Sequence, residues 1–440
     1  MERKTLFDME KKNCPFDSYD LYMEYLFACV NEGISRYLKG LKEIFATGQG
    51  GYKNVLYPDL EIAHDTCMEK LERFQWQKEK EPEEEEEALD ADLQELFGDF
   101  IQEQNQRVEQ TGEEGFEEEE TTIEALIEYI QSRAEASQKE GVRLPFYEIC
   151  RKLEFEHFTV FCLACGILAS TQTDYAGVFQ VVNENGGLSL PTVESAAKLY
   201  YGERFSITGA YGDMSVCLEQ LLPVLNLQVR DSMPFSTLIA FDKRMIDYLF
   251  GKHPLRLDEN YVRFMKMLTQ EEEELDPILA NQGVLDAMEI SYGDGVRIFS
   301  YYGDEGSGRK FFIRQFCKKH GLRAVSINCK KLFVYDFSFV DQALWAVTRE
   351  CILTGACCCL DDLVYREEEK DKFFGYMDLA FSKLTDRGIL VFAVSKEKLS
   401  MRDMTRQEFT ELELPTPSNQ ERENCWRHYS GTYALSEDVD

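Results

Sequence analysis

The chain lacks a long hydrophobic run. Its first residues, Met1 to Asp8, contain no apolar core of a signal peptide. No stretch among the 440 residues approaches the roughly 18 apolar positions that a membrane-spanning helix requires. These absences argue against a membrane-embedded class, and we expect a soluble, cytoplasmic protein with no membrane partner.

Basic residues are also scarce. The sequence has 48 Lys and Arg against 81 Asp and Glu, a formal net charge of −33 at pH 7. Between Glu81 and Glu120, 18 acidic residues stand against one basic residue, Arg107. Like charges at this density repel and stay extended, so residues 79–120 are predicted to form a disordered acidic linker. The balance argues against nonspecific binding of nucleic acid.

Zinc-type cysteine spacing is missing too, although the chain has 14 cysteines. Cys162 and Cys165 form a C-x-x-C, but apolar residues surround them and no second pair follows, which predicts a core helix. Cys357, Cys358 and Cys359 stand in a row in a predicted strand, where alternating side-chain directions exclude an orderly disulfide scheme. Reduced, buried thiols follow from this pattern.

The length predicts two or three domains. Residues 1–78 are expected to be helical, with apolar residues at helical spacing from Ser18 to Ala46. After the linker, residues 121–252 read as several helices and a short strand at Leu225 to Arg230, which is compatible with a winged-helix-like domain. Residues 253–440 form the last domain, whose opening part, Leu255 to Gly295, is expected to be helical.

Strands and helices alternate in this last domain. Apolar runs predict strands at 296–301, 323–328, 356–360, 389–395 and 411–414, with helices between them. Such alternation implies a parallel sheet with right-handed crossovers. The predicted fold class is therefore α/β, a P-loop parallel sheet with flanking helices, preceded by a mainly α region.

A glycine-rich turn follows the first of these strands. Its residues are Gly303, Asp304, Glu305, Gly306, Ser307, Gly308, Arg309 and Lys310. The G-x-x-x-x-G spacing is typical of a loop whose backbone amides, with a helix N-terminus, surround a phosphate. Lys and then Ser or Thr are expected after the last glycine, but Arg309 and Lys310 stand there instead. The loop is thus recognisable and altered.

Polar residues follow two other strands. Asp361 is placed to hold Mg²⁺, Asp362 to act as a general base, and Ser395 to contact the γ-phosphate or the attacking water. Arg406, or Arg402, would reach the nucleotide of a neighbouring subunit. Each also has an ordinary interpretation: a helix N-cap, a turn residue or a solvated arginine. Their joint order along the chain is what favours a site.

With these residues in place, the chain resembles the AAA family of ring-forming P-loop ATPases. Gly303 to Lys310 resembles the Walker A loop, Cys357 to Asp362 resembles Walker B, and Ser395 matches the first sensor position. The segment Phe409 to Trp426 resembles the final core strand and the start of the helical lid. The resemblance implies ATP and Mg²⁺ as cofactors and assembly into a homo-oligomeric ring through the core.

The part before this core looks similar to bacterial AAA proteins with an N-terminal helical and winged-helix region, some of them associated with contractile injection systems. The segments that carry this similarity are Leu144 to Leu163 and Met233 to Gly251. Three residues depart from the family pattern, namely Arg309, Lys310 and Asp362. The chain also ends where the lid would begin, so either the sequence is truncated or the protein works without a complete lid.

Three functions stay open. In the first, an ATP-binding AAA-type protein couples nucleotide binding, with or without hydrolysis, to remodelling or assembly of a protein partner. In the second, the P-loop domain is a catalytically degenerate scaffold for interactions. In the third, the winged-helix module binds DNA, which the overall acidity and the absence of a clustered Lys/Arg recognition helix argue against.

Overall fold

The structure is a computed structural model that describes residues 12–46, 62–63, 65–66, 68–70, 121–225, 227, 229, 232–251, 257–269 and 275–432. The predicted acidic linker at 79–120 lies outside these residues. The chain divides into two compact units. Unit 1 comprises residues 1–150, 154–217 and 229–240, and unit 2 comprises residues 151–153, 218–228 and 241–440. None of the described helices is long and apolar enough to cross a membrane.

Helices dominate the chain before Phe241. They are α1 Tyr19–Ala46, α2 Ile123–Lys139, α3 Pro145–Lys152, α4 His157–Thr171, α5 Tyr175–Val182, α6 Val193–Tyr201 and α7 Ile207–Leu221. The first confirms the helix predicted from Ser18 to Ala46. Cys162 and Cys165 are fully buried in α4 and free of disulfides, as the apolar context predicted.

A short antiparallel pairing connects the segment after α7 to the start of α6. Thr192 caps α6 in a reciprocal capping box with Ser195. Thr192 also forms an antiparallel bridge with Leu238, flanked by the Ile239 amide donating to the Pro191 carbonyl at 2.8 Å. The segment after α7 thus returns to the start of α6, so two helices and a short pairing share one local framework.

The strand predicted at Leu225 to Arg230 is not formed at its described positions. Leu225, Leu227 and Val229 are described, and none belongs to a strand. The Leu225 amide instead donates to the Leu221 carbonyl at 2.8 Å, which continues the helical turn beyond α7. Local helical hydrogen bonding has prevailed here over an alternating apolar pattern.

Unit 2 is built on a six-stranded sheet. Its strands are β1 Met265–Met267, β2 Ile298–Tyr302, β3 Arg323–Asn328, β4 Ala356–Leu363, β5 Val391–Ser395 and β6 Phe409–Glu413. Its helices are α8 Lys243–Phe250, α9 Gln282–Gly293, α10 Arg309–Lys319, α11 Cys329–Leu332, α12 Phe337–Thr354, α13 Lys370–Thr385, α14 Met401–Met404 and α15 Asn419–Thr432. The strand order is β1-β3-β4-β5-β2-β6.

All neighbouring strands are parallel except β1, which pairs antiparallel with β3. We expected only helix between Leu255 and Gly295, so this edge strand corrects that prediction. It is three residues long, too short for its own period to show. The parallel strands appear where the apolar runs placed them, with ends shifted by up to three residues.

The sheet is buried on both faces. Cys358 packs on one side with Val340 and other apolar residues of α12 and α13. Cys357 and Cys359 pack on the other side with Phe312 of α10 and Met288 of α9. This alternation explains why the cysteines read as small hydrophobes in a doubly covered strand.

Candidate functional site

The sheet order brings three predicted segments to one edge. β5 lies between β2 and β4, with Tyr302 in register with Ser395, and Ser395 in register with Leu363. The glycine loop leaves the end of β2, and the acidic pair lies near the end of β4. Ligands of such sheets bind at the carboxyl ends of the strands. The loop, Asp361, Asp362 and Ser395 therefore belong to one region.

Glycine is required at two points of the loop. A Cβ on Gly303 would lie 2.5 Å from the Leu414 carbonyl oxygen, so the start of the loop runs against the end of β6. Gly308 has φ of 86° and occupies the N-cap of α10, a left-handed conformation that a side chain would strain. Both glycines fix the turn that directs the loop into the helix.

Ser307 carries a polar atom without a partner. Its Oγ is buried and has no hydrogen-bond partner in the described part of the chain. The Ser307 amide donates to the Asp304 carbonyl at 3.1 Å, which tightens the loop. A buried hydroxyl left unsatisfied costs free energy, so the loop is suited to a ligand that would accept this donor. The residues present thus fit a phosphate group.

Arg309 lies where the phosphate-binding cation was predicted, but it turns toward the sheet. Its guanidinium donates to the backbone carbonyl of Ser395. The side chain therefore braces the loop against the end of β5. Among the described residues this is the hydrogen bond that the guanidinium forms, so its other N–H donors can still provide charge beside the loop.

Lys310 forms an ion pair with Asp361. Its Nζ lies 2.5 Å from Asp361 Oδ2, with the lysine side chain 41% exposed and the aspartate side chain 10% exposed. Asp361 is the predicted Mg²⁺ ligand, and Lys310 replaces the hydroxyl residue that would help hold the metal. No cluster of three metal-binding side chains occurs in the described ranges. The residues present do not fit a bound Mg²⁺.

Asp362 faces away from this pair. It is exposed, and its backbone has φ of 58°, where the register between β4 and β5 shifts. Asn328 Nδ2 lies 3.5 Å from Asp362 Oδ2 across the neighbouring strand β3. Successive side chains of a strand point to opposite faces of the sheet. This explains why Asp361 and Asp362, adjacent in sequence, have different surroundings.

Ser395 and Arg406 differ sharply in burial. Ser395 is 1% exposed, and its hydroxyl donates to the Glu397 carbonyl at 2.7 Å. Its single proton is therefore committed to the backbone. Arg406 is exposed, in the segment between α14 and β6. Among the described residues no hydrogen bond or ion pair joins either side chain to the loop, and the roles predicted for them stay predictions.

Two buried cysteine thiols, those of Cys359 and Cys329, lie near Asp361. Burial raises the pKa of the Cys359 thiol to about 12, with Asp361 raising it further and Lys310 opposing. Burial, Cys359 and Asp361 likewise raise the pKa of Cys329. Both thiols stay protonated at neutral pH, so neither adds a negative charge beside Asp361.

Two interactions were missed by sequence reasoning. The first is the Lys310–Asp361 contact, for which the sequence offers no local signal. The second is Glu421, whose carboxylate accepts from the Asn281 amide at 2.9 Å and the Ser418 amide at 2.8 Å. The spacing of Ser418 and Glu421 is that of a capping box and was available as a signal. It joins the start of α15 to the start of α9.

Comparison with known families identifies one part of the chain. Residues 60–268 match the family model described as "Winged helix domain, variant", a little under half of the chain. The winged-helix module expected between 121 and 252 is thereby confirmed as a domain type, and the domain bounds predicted from the sequence stay predictions. No curated protein sequence matches the chain.

Proposed function

We propose that this chain is a nucleotide-binding interaction protein. In this proposal the loop from Gly303 to Lys310 holds the phosphates of ATP or ADP, and occupancy of the loop controls the binding of a protein partner. One observation carries it: a glycine loop at the carboxyl end of β2 opens α10 and contains the unpartnered Ser307 hydroxyl. Exposed amides at a helix N-terminus attract anions.

The loop supplies specific groups for this task. The amides around Gly306 and Gly308, with the Ser307 hydroxyl, would hold phosphate oxygens. Arg309, braced on the Ser395 carbonyl, would add positive charge. The AAA-type ring and a contact through the exposed Arg406 belong to the same proposal, since the resemblance implies them.

Efficient hydrolysis is not part of the proposal. Catalysis of phosphoryl transfer to water depends on a positioned metal and an oriented water. Asp361 is occupied by Lys310, and the Ser395 hydroxyl donates to a backbone carbonyl. Asp362 lies in a different direction from Asp361. Binding, rather than turnover, is the activity that these contacts favour.

A scaffold that binds no nucleotide is the second candidate. It is favoured by the exposed Asp304 and Glu305 in the loop itself. These two carboxylates, with Asp361 and Asp362, outnumber the cations Arg309 and Lys310 and oppose a polyphosphate. The two candidates differ in one measurable property, nucleotide affinity.

Titration of ATP and ADP into the full-length chain tests the proposal. We expect saturable binding that Ser307→Ala weakens by about tenfold, the value of one charge-assisted hydrogen bond. The same substitution should not lower the thermal unfolding temperature, because the hydroxyl has no hydrogen-bond partner among the described residues. Absence of binding by either nucleotide would leave the scaffold as the function.

A further inference from the structure

We infer that the Lys310 ammonium occupies the place of the divalent cation in this site, so that the loop binds nucleotide without Mg²⁺. This inference rests on the proposed function, and it concerns the form of ligand that the site accepts. It assigns to Lys310 a role in ligand selection: a metal-free polyphosphate is preferred over its magnesium complex, or at least accepted equally.

The contact between Lys310 and Asp361 opposes a metal at this carboxylate. Mg²⁺ requires oxygen ligands at about 2.0–2.1 Å in near-octahedral geometry. Lys310 Nζ lies 2.5 Å from Asp361 Oδ2, one of the two oxygens that this carboxylate could offer to a metal. An ammonium is a donor only and cannot join the coordination of a cation. One carboxylate oxygen is thus committed to an internal positive charge.

Burial makes this pairing necessary. The Asp361 side chain is 10% exposed, and a carboxylate at this depth needs a compensating charge. Lys310 is the cation in contact with Asp361, and its position on the first turn of α10 also places it beside the phosphate loop.

The position of Lys310 also sets the charge that a ligand meets. Its side chain is 41% exposed, so a phosphate oxygen can approach the ammonium from the solvent side. A lysine can interact with a carboxylate and a phosphate together because it has three donors. Magnesium bound to the incoming nucleotide would meet this ammonium and be repelled.

The experiment compares nucleotide affinity in excess Mg²⁺ and in EDTA. The dissociation constants of the wild-type protein for ADP and ATP should be no more than about twofold higher in EDTA than in Mg²⁺. Lys310→Thr removes the ammonium and restores a hydroxyl ligand, so Mg²⁺ should now tighten binding by about tenfold or more. Lys319→Thr makes the same change at the other end of α10 and should behave like wild type.

A second variant addresses the same pair from its other side. Asp361→Asn leaves the Lys310 charge uncompensated, so binding in EDTA should tighten about threefold or more. In a metal-dependent site this substitution would weaken binding instead. Circular dichroism of each variant checks that the fold is retained. The comparison of wild-type nucleotide affinity in Mg²⁺ and in EDTA does not depend on any variant.

The possible results separate the two proposals. Wild-type binding in both buffers, with Mg²⁺ dependence appearing only in Lys310→Thr, supports the inference. Wild-type binding that requires Mg²⁺ overturns the inference and leaves the proposed function intact. Absence of nucleotide binding in both buffers overturns the proposed function, and the inference with it.

Discussion

Arg244→Met removes the partner of a carboxylate that solvent does not reach. Arg244 on α8 donates through Nε and Nη2 to the two oxygens of Glu350 on α12, each at 2.8 Å. Glu350 is 0% exposed and Arg244 is 7% exposed. Breaking a buried pair from one side costs about 3–5 kcal/mol, because a desolvated charge is left behind. We expect a loss of that size in the free energy of unfolding of unit 2.

Urea unfolding followed by the fluorescence of Trp345 on α12 measures this loss. The background carries Trp76→Phe and Trp426→Phe, so that the signal comes from Trp345, the one remaining tryptophan of the sequence. Arg427→Met is the matched control, since its exposed pair with Glu423 should contribute below about 0.5 kcal/mol. The double variant Arg244→Met with Glu350→Met should regain most of the loss, because both charges are gone.

The pH dependence gives an independent check on Glu350. Burial raises the pKa of its carboxyl above the ordinary 4.5, against the lowering effect of Arg244. A raised folded-state pKa means that the stability contribution is complete below 4.5 and is lost as the pH rises through the folded-state pKa. Glu350→Gln should lack this loss, and Arg244→Met should enlarge it.

Two outcomes would refute this reasoning. A loss below about 1 kcal/mol in Arg244→Met would mean that Glu350 is not left as a buried charge. Equal losses in the single and double variants would mean that packing by the arginine side chain, rather than charge, accounts for the effect. The cycle distinguishes these cases because it isolates the pairwise interaction energy.

Three further predictions concern the loop, the acidic strand and the winged-helix domain. Gly303→Ala should destabilise unit 2 by about 1–3 kcal/mol in thermal unfolding, because its Cβ would meet the Leu414 carbonyl at 2.5 Å; Gly283→Ala on α9, with no atom within 4 Å, should not destabilise it. Asp362→Gly should change the unfolding free energy by less than about 1 kcal/mol, as relief of left-handed strain offsets the added chain entropy, and should leave phosphate release at background; loss of a measurable release rate would instead identify a base. Duplex DNA should show no mobility shift at physiological salt, since the chain has a formal net charge of −33 at pH 7 and α7 contains no Lys or Arg that could neutralise phosphates. A shift with a steep salt dependence would contradict this.

Most of the fold prediction rested on the regular spacing of apolar residues. The helix beginning near Ser18 and the parallel strands of unit 2 were readable because each buries a repeating set of apolar residues. β1 was missed because its three residues gain strand geometry only from pairing with β3. The alternating pattern after α7 was wrong as a strand, since helical hydrogen bonding continues to Leu225. The conformation of such short segments is set by the elements that they pair with or extend, and not by their own apolar pattern.

The site was predicted unevenly. Order along the chain was enough to place the loop, the acidic pair and Ser395 at one edge, because parallel strands share the direction of their carboxyl ends. The contacts of those side chains were not readable. Arg309 turns to the Ser395 carbonyl, and the backbone of Asp362 adopts φ of 58° where the register between β4 and β5 shifts. Both depend on register shifts and rotamers that no local sequence rule specifies.

By itself the sequence determined that a glycine-rich loop lies between a strand and a helix, and that the two residues after its last glycine differ from the Lys and Ser or Thr of a phosphate-binding pattern. Spacing and residue type are local properties, so they survive without a structure. Only the tertiary structure decided what the altered residue Lys310 does. Lys310 and Asp361 are 51 positions apart in sequence, and they meet because α10, which carries Lys310, packs on the face of β4 that carries Cys357 and Cys359. Burial of Asp361 then demands a counter-charge, which Lys310 provides.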